Sequence, residues 1–214
     1  MKSKRKKKNR TKIIILVVLA VVCIFAVKQI GIDDGQRIVC IDAGHGGRDV
    51  GAVNGSRYEK DDNLRLALKV KEKLEAQEVR VVMTRDDDTF VELKDRCKIA
   101  NRKHCDLFVA IHRNSAEKGA GVEAWIATTA GRTENSLAND LLDALSGSGF
   151  ESRGVKRGYR GNALSNYYVN SGTKMPSVLL ETGFISSDRD NKLFDEKLDK
   201  NAEAIADAIV KNLK

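Results

Sequence analysis

Three histidines occur in the chain, His45, His104 and His112, and two of them stand where chemistry is done. His45 sits in Gly44-His45-Gly46-Gly47, the loop behind the β-branched run 37–42, and His112 ends the apolar run 107–111. Glu181 follows Val178-Leu179-Leu180 in the same way, while Glu59 lies between the glycine loop and a helical stripe. If the strands run largely parallel, their C-terminal ends share one edge, where α/β folds place their ligand crevices. Two imidazoles and a carboxylate, with a fourth position left to water, make a catalytic zinc set. The second carboxylate then serves as general base, and the whole is machinery for hydrolysing an amide. Glycines around His45 let the backbone fold back so that its ring meets the other ligands. Taken singly, each group also fits a plainer role: a surface histidine, a solvated helix start, the point where burial ends. The residues alone leave both readings open. His104 precedes its strand, belongs at the opposite edge and reads as an ordinary surface residue.

The elements that must position these groups follow from periodicity. The stretch 61–77 has Leu64, Ala67, Leu68 and Leu74 on one helical stripe, with Asp61 and Asp62 in the first turn, where they suit the positive end of the helix dipole. Strands are expected at 37–42, 79–84, 107–112, 122–127, 167–169 and 177–182, and further helices at 92–103, 134–145 and 201–213. This alternation predicts a single α/β domain over 37–214, its sheet mostly parallel or mixed with helices on both faces.

Charge separates this domain from what precedes it. Of 38 Lys+Arg against 30 Asp+Glu, eight cations fall in the first twelve residues, so the remainder is neutral overall and no nucleic-acid partner is expected. Residues 13–27 then carry no polar side chain, and as a helix they would span roughly 22 Å, short of a hydrocarbon core of ~30 Å. The length suits a secretory signal whose basic tail, 1–12, stays in the cytoplasm. Small residues are poorly placed for cleavage, so an uncleaved signal anchor is preferred over a cleaved peptide. Either exports the rest: a single-pass membrane protein with its domain outside the cytoplasm, or a secreted one. Residues 28–36 read as a linker. Of four cysteines, Cys23 falls in the anchor and Cys40 in a buried strand. Cys97 and Cys105 permit a disulfide after export, although an exposed helix and a loop are the plainer homes for both.

The segments IDAGHGGRDVGA, YEKDDNLRLAL, MTRDDD, RCKIANRKHCDLFVAIHRNS and MPSVLLETGFISS, in this order, resemble the zinc-dependent N-acetylmuramoyl-L-alanine amidases over residues 37–214. The resemblance implies a sheet of about six strands, peptidoglycan as substrate, His45, Glu59 and His112 as Zn2+ ligands, and Glu181 as the catalytic glutamate. Asp42 and Asn114 flank the ligand histidines and are candidates to support them, Asp42 equally to cap amides of the glycine loop. Two positions depart from the family pattern. Ala43 stands where proline is usual, at some cost in loop rigidity. Arg113 replaces a small residue, either to hold a substrate carboxylate beside the metal or to point into solvent. Competing readings are another zinc peptidase of wall peptides and an inactive wall-binding module; an active enzyme could also depend on an activating or inhibitory protein partner. An anchor joined directly to a bare catalytic domain also fits a sporulation role, in the spore cortex.

Overall fold

In a computed structural model, residues 35–162 and 164–213 are described, and 37–214 form one compact unit. The expected anchor at 13–27 lies outside the described residues. Among those described, no helix is long and apolar enough to cross a membrane.

Among the described residues the order opens with β1 (Ile38–Ala43), the short hairpin β2 (Val53–Asn54) and β3 (Arg57–Tyr58), then helix α1 (Glu59–Ala76) and β4 (Arg80–Met83). Next come α2 (Leu93–Arg102), β5 (Leu107–Asn114), β6 (Val122–Ile126), α3 (Arg132–Gly147) and β7 (Ser152–Arg157). The chain closes with α4 (Tyr168–Gly172), β8 (Ser177–Phe184), α5 (Asp188–Glu196) and α6 (Leu198–Lys211). Six strands form one sheet in the order β4-β1-β5-β8-β6-β7. It is parallel except where β6 meets β8, the mixed α/β architecture that the alternation predicts.

Because successive residues of a strand point to opposite faces, this sheet has two distinct sides. Val39, Ile41, Val109, Ile111, Val178 and Leu180 belong to the larger apolar cluster, with Leu66, Leu141 and Ile205 from α1, α3 and α6. Cys40, Phe108, Ala110, Trp125 and Leu179 form a smaller cluster with Cys97 of α2 and Val169 of α4. The strand register carries that second face onward into polar ground. His112 of β5 pairs with Glu181 of β8, and Glu181 pairs in turn with Glu123 of β6, so three ionisable groups stand in a row across adjacent strands.

Three local expectations are corrected. Residues 167–169, expected as a strand, open helix α4 instead. Both edges of β8, the strand that follows this segment, are already taken by β5 and β6. Strand β7 and helix α5 were not legible. The first is a partly exposed edge strand, SRGVKR, with charge and glycine where alternation would be sought. The second buries only Asp190 and Phe194. Finally, Cys40, Cys97 and Cys105 are all free and buried. Cys97 lies beneath α4 rather than on an exposed face: a β-carbon added to Gly172 would stand 2.7 Å from its sulfur.

Candidate active site

Glu59 is the first residue of α1, so its buried carboxylate sits at the positive end of a helix dipole. Oε1 lies 3.1 Å from His45 Nε2 and 3.0 Å from His112 Nδ1. It also accepts from the backbone N–H of Arg113 at 3.1 Å and from Asn63 Nδ2 at 3.2 Å. Oε2 accepts from the Ala52 N–H at 2.9 Å. The three side chains offer ligand atoms within 4.8 Å of one another and could hold a metal ion. Tetrahedral donors about 2.0–2.1 Å from a zinc ion stand roughly 3.3 Å apart, close to the two His–Glu separations here. The sequence-predicted trio is therefore brought together.

The cradle is tight. A β-carbon on Gly44 would fall 2.3–2.7 Å from the ring of His112, and one on Gly51 would fall 2.7 Å from both Glu59 Oε2 and the His45 ring. His45 itself has φ 61°, a left-handed conformation that costs a non-glycine residue energy and is retained where surrounding bonds over-determine it. Two guanidinium groups supply those bonds. Arg96 donates to the carbonyls of Ala43 (2.8 Å), His45 (2.7 Å) and Val91 (2.9 Å). Arg85 donates to those of Ala43, Gly44 and Lys60, each at 2.8 Å. A loop clamped by its carbonyl groups needs no proline at position 43. Asp49 completes the frame, its Oδ2 lying 2.8 Å from His45 Nδ1 and so orienting the ring from behind.

Asp42 supports the site by a route the sequence did not disclose. It caps no amide of the glycine loop; its Oδ1 accepts from Arg96 (2.8 Å) and Thr84 Oγ1 (2.5 Å), steadying the guanidinium that grips the loop. Asn114 bonds Glu123 rather than a ligand histidine, Nδ2 to Oε2 at 3.2 Å. Arg113 fits neither expected role. It follows His112 on a strand and so points to the other face, where its side chain is fully buried. There it donates to Asp62 Oδ2 at 2.6 Å and Asn191 Oδ1 at 2.7 Å. His104 is exposed in the loop before β5, as expected.

Glu181 borders the trio through its register with His112. Burial raises its carboxyl from 4.5 to about 7, and its Oε2 has no hydrogen-bond partner among the described residues. A buried carboxylate oxygen without a partner has its lone pairs available to a ligand. Residues missed from the sequence are Asp49, Arg85, Arg96, Glu123 and Arg160. Their signal is a polar side chain two or four residues from a ligand, or on a neighbouring element, which becomes readable only once the strands are ordered. All but Arg85 and Glu123 line, with the four predicted groups, a cleft of about 800 Å3.

Two outcomes test this geometry. Arg113→Ala removes one of the two guanidinium partners of Asp62, which keeps Arg57 at 2.7 Å, and is expected to cost about 1–3 kcal/mol in chemical denaturation. KM of the folded protein should stay unchanged, and a raised KM would put Arg113 back in the substrate cleft. For His45, burial favours the neutral ring, but hydrogen bonds and charge from Glu59 and Asp49 prevail and lift its pKa from 6.5 to about 9. A proton bound more tightly in the folded state stabilises it fully below about 6.5, and that contribution disappears as pH rises through about 9. Chelator-treated protein should therefore melt at lower temperature above this window than below it; a Tm that does not fall across it contradicts the assignment.

The N-acetylmuramoyl-L-alanine amidase family profile matches residues 39–211. Uncharacterized protein YqiI of Bacillus subtilis is 40% identical over 178 residues, which cover 81% of this chain and 83% of that protein. N-acetylmuramoyl-L-alanine amidase LytC of the same species is 35% identical over 178 residues, 80% of this chain but only 34% of LytC. The catalytic domain of CwlV, an N-acetylmuramoyl-L-alanine amidase from Bacillus (Paenibacillus) polymyxa var. colistinus, gives a TM-score of 0.73 at 38% identity, covering 82% of this chain and 97% of that domain. With the fold, the cleft and the matched residues in agreement, the chain belongs to the N-acetylmuramoyl-L-alanine amidase family.

Proposed function

We propose that the chain hydrolyses the amide between N-acetylmuramic acid and the L-alanine of the stem peptide in peptidoglycan, with Zn2+ held by His45, Glu59 and His112. The observation that carries this reading is the trio around Glu59 Oε1, set beside a buried glutamate whose Oε2 has no hydrogen-bond partner among the described residues. The donor set fits zinc in number, type and spacing. When bound there, zinc supplies Lewis acidity, polarising the scissile carbonyl and making water a better nucleophile.

The protein's own groups do the rest. Glu59 balances charge between the two imidazoles, while Asp49 and Asn63 fix the faces that His45 and Glu59 present. Glu181 takes the proton of the attacking water at Oε2 and delivers it to the alanine nitrogen as the C–N bond breaks. Its burial favours the neutral carboxylic acid that this second transfer needs. The chain's work is then extracytoplasmic, and segment 13–27 is its anchor in the cell membrane, its basic tail on the inner face.

Peptide release from purified peptidoglycan by the full chain tests the assignment. Wild-type release of intact stem peptides should stop on chelation and return with zinc. Glu181→Gln should keep its zinc and lose about 10²–10⁴ in kcat; turnover near wild type rejects Glu181 as the base. Gly44→Ala tests the cradle, since its backbone φ lies outside the left-handed region and the three atoms nearest the methyl group all belong to the His112 ring. Zinc affinity should fall about 10–100-fold with an unchanged far-UV circular dichroism spectrum, whereas undiminished affinity would show that the ring has room to move.

A further inference from the structure

Three arginines come to the border of the cleft, Arg96, Arg113 and Arg160, Arg113 with its side chain turned to the far face of the sheet. The first two are consumed by the structure, Arg96 on three carbonyls and Asp42, Arg113 on Asp62 and Asn191. Arg160 is different. It sits in the turn Gly158-Tyr159-Arg160-Gly161, whose two glycines have φ of 89° and 80°. Paired backbone hydrogen bonds between Tyr159 and Asn162, at 3.3 and 2.9 Å, close the turn.

A chain of contacts aims this guanidinium. Arg153 Nε donates to Glu123 Oε1 at 2.6 Å, and Trp125 Nε1 donates to Oε2 at 3.2 Å. Glu123 can only accept, so Asn114 must turn its Nδ2 towards it. That leaves Asn114 Oδ1 to receive the Ser115 N–H and Arg160 Nη2. Among the described residues this is the only hydrogen bond that Arg160 makes. Its nearest carboxylate oxygen, Glu181 Oε1, is 3.9 Å away, beyond hydrogen-bond reach, and the side chain is 47% exposed. A guanidinium has five N–H donors in a rigid fork matched to a carboxylate, and this one lines the cleft beside the proposed base with a single hydrogen bond to the described residues.

Building on the amidase reading, we propose that Arg160 determines peptide specificity by pairing with a free carboxylate on the second residue of the stem peptide. The sugar side of the scissile amide bears neutral hydroxyl and acetamido groups, whereas the peptide side bears carboxylates. One residue beyond alanine lies about 7 Å from the scissile nitrogen at 3.3–3.6 Å per residue, within the span of an arginine that approaches Glu181 to 3.9 Å. The charge therefore fixes which way the substrate lies, with its peptide running towards the turn 158–161.

The test uses two soluble muropeptides that differ only in whether the second residue is D-glutamate, with a free α-carboxylate, or its amidated form, D-isoglutamine. Zinc-loaded wild-type protein should prefer the acid about 10- to 100-fold in kcat/KM, chiefly through KM. Arg160→Met should erase the preference, losing about 10- to 100-fold more on the acid than on the amidated substrate, and Arg160→Lys should fall between. A wild type indifferent to amidation, or an Arg160→Met variant slowed equally on both, overturns the proposal. If wild-type protein cleaves neither, the amidase reading fails instead. The affinities of the two released stem peptides for wild type and Arg160→Met then decide the Arg160 assignment independently, with a charge preference that disappears in the variant supporting it and its absence rejecting it.

Discussion

Everything around the cleft answers to one buried negative charge. The carboxylate of Glu59 has been taken out of water, which is costly unless every lone pair finds a donor or a cation. The fold meets that demand from several directions: a helix terminus, the amides of Ala52 and Arg113, the Asn63 side chain and two imidazole rings. The donors come from four stretches of chain, so the loop of His45, the segment at Ala52, α1 and β5 must all be in place together. Removal of the carboxylate would leave two rings set edge to face, their centroids 5.0 Å apart, without the acceptor that both now approach.

The histidines had to be placed against that charge, and the two solutions differ. His112 is carried by a central strand and needs only the register of the sheet. His45 stands in a strained loop, and its position depends on Arg85 and Arg96 binding carbonyl oxygens from below. Backbone stiffness from a proline and clamping of carbonyl groups by arginine are alternative answers to the same geometric problem. The second places positive charge close beneath a site that gathers anionic groups, and the Asp42 carboxylate offsets part of it.

The four central residues were legible because strand ends and glycine loops leave a signal in the order of residue types, and the sheet then gathers them. Legibility ended where a side chain's role depends on which strand lies alongside. Glu123 became meaningful only when β6 was found antiparallel to β8, and Asp49 only when the loop closed. Arg113 is instructive in the opposite sense. Its neighbour His112 faces the cleft, and strict alternation along β5 sends position 113 to the far face; strand geometry contained the answer, while proximity in sequence suggested otherwise. The edge strand β7 and helix α5 lack apolar periodicity because each has much of its surface in solvent, so no pattern exists to be read.

The three described cysteines, all buried and none cross-linked, carry a different consequence. Small exported domains commonly draw stability from disulfides because their cores are too thin to hold alone. This domain instead rests on apolar packing on both faces of its sheet. Its thiols become reachable by oxidants only through local opening, as around Cys97 beneath α4. Damage there would proceed at a pace set by fluctuation of that short helix rather than by the oxidising strength of the surroundings.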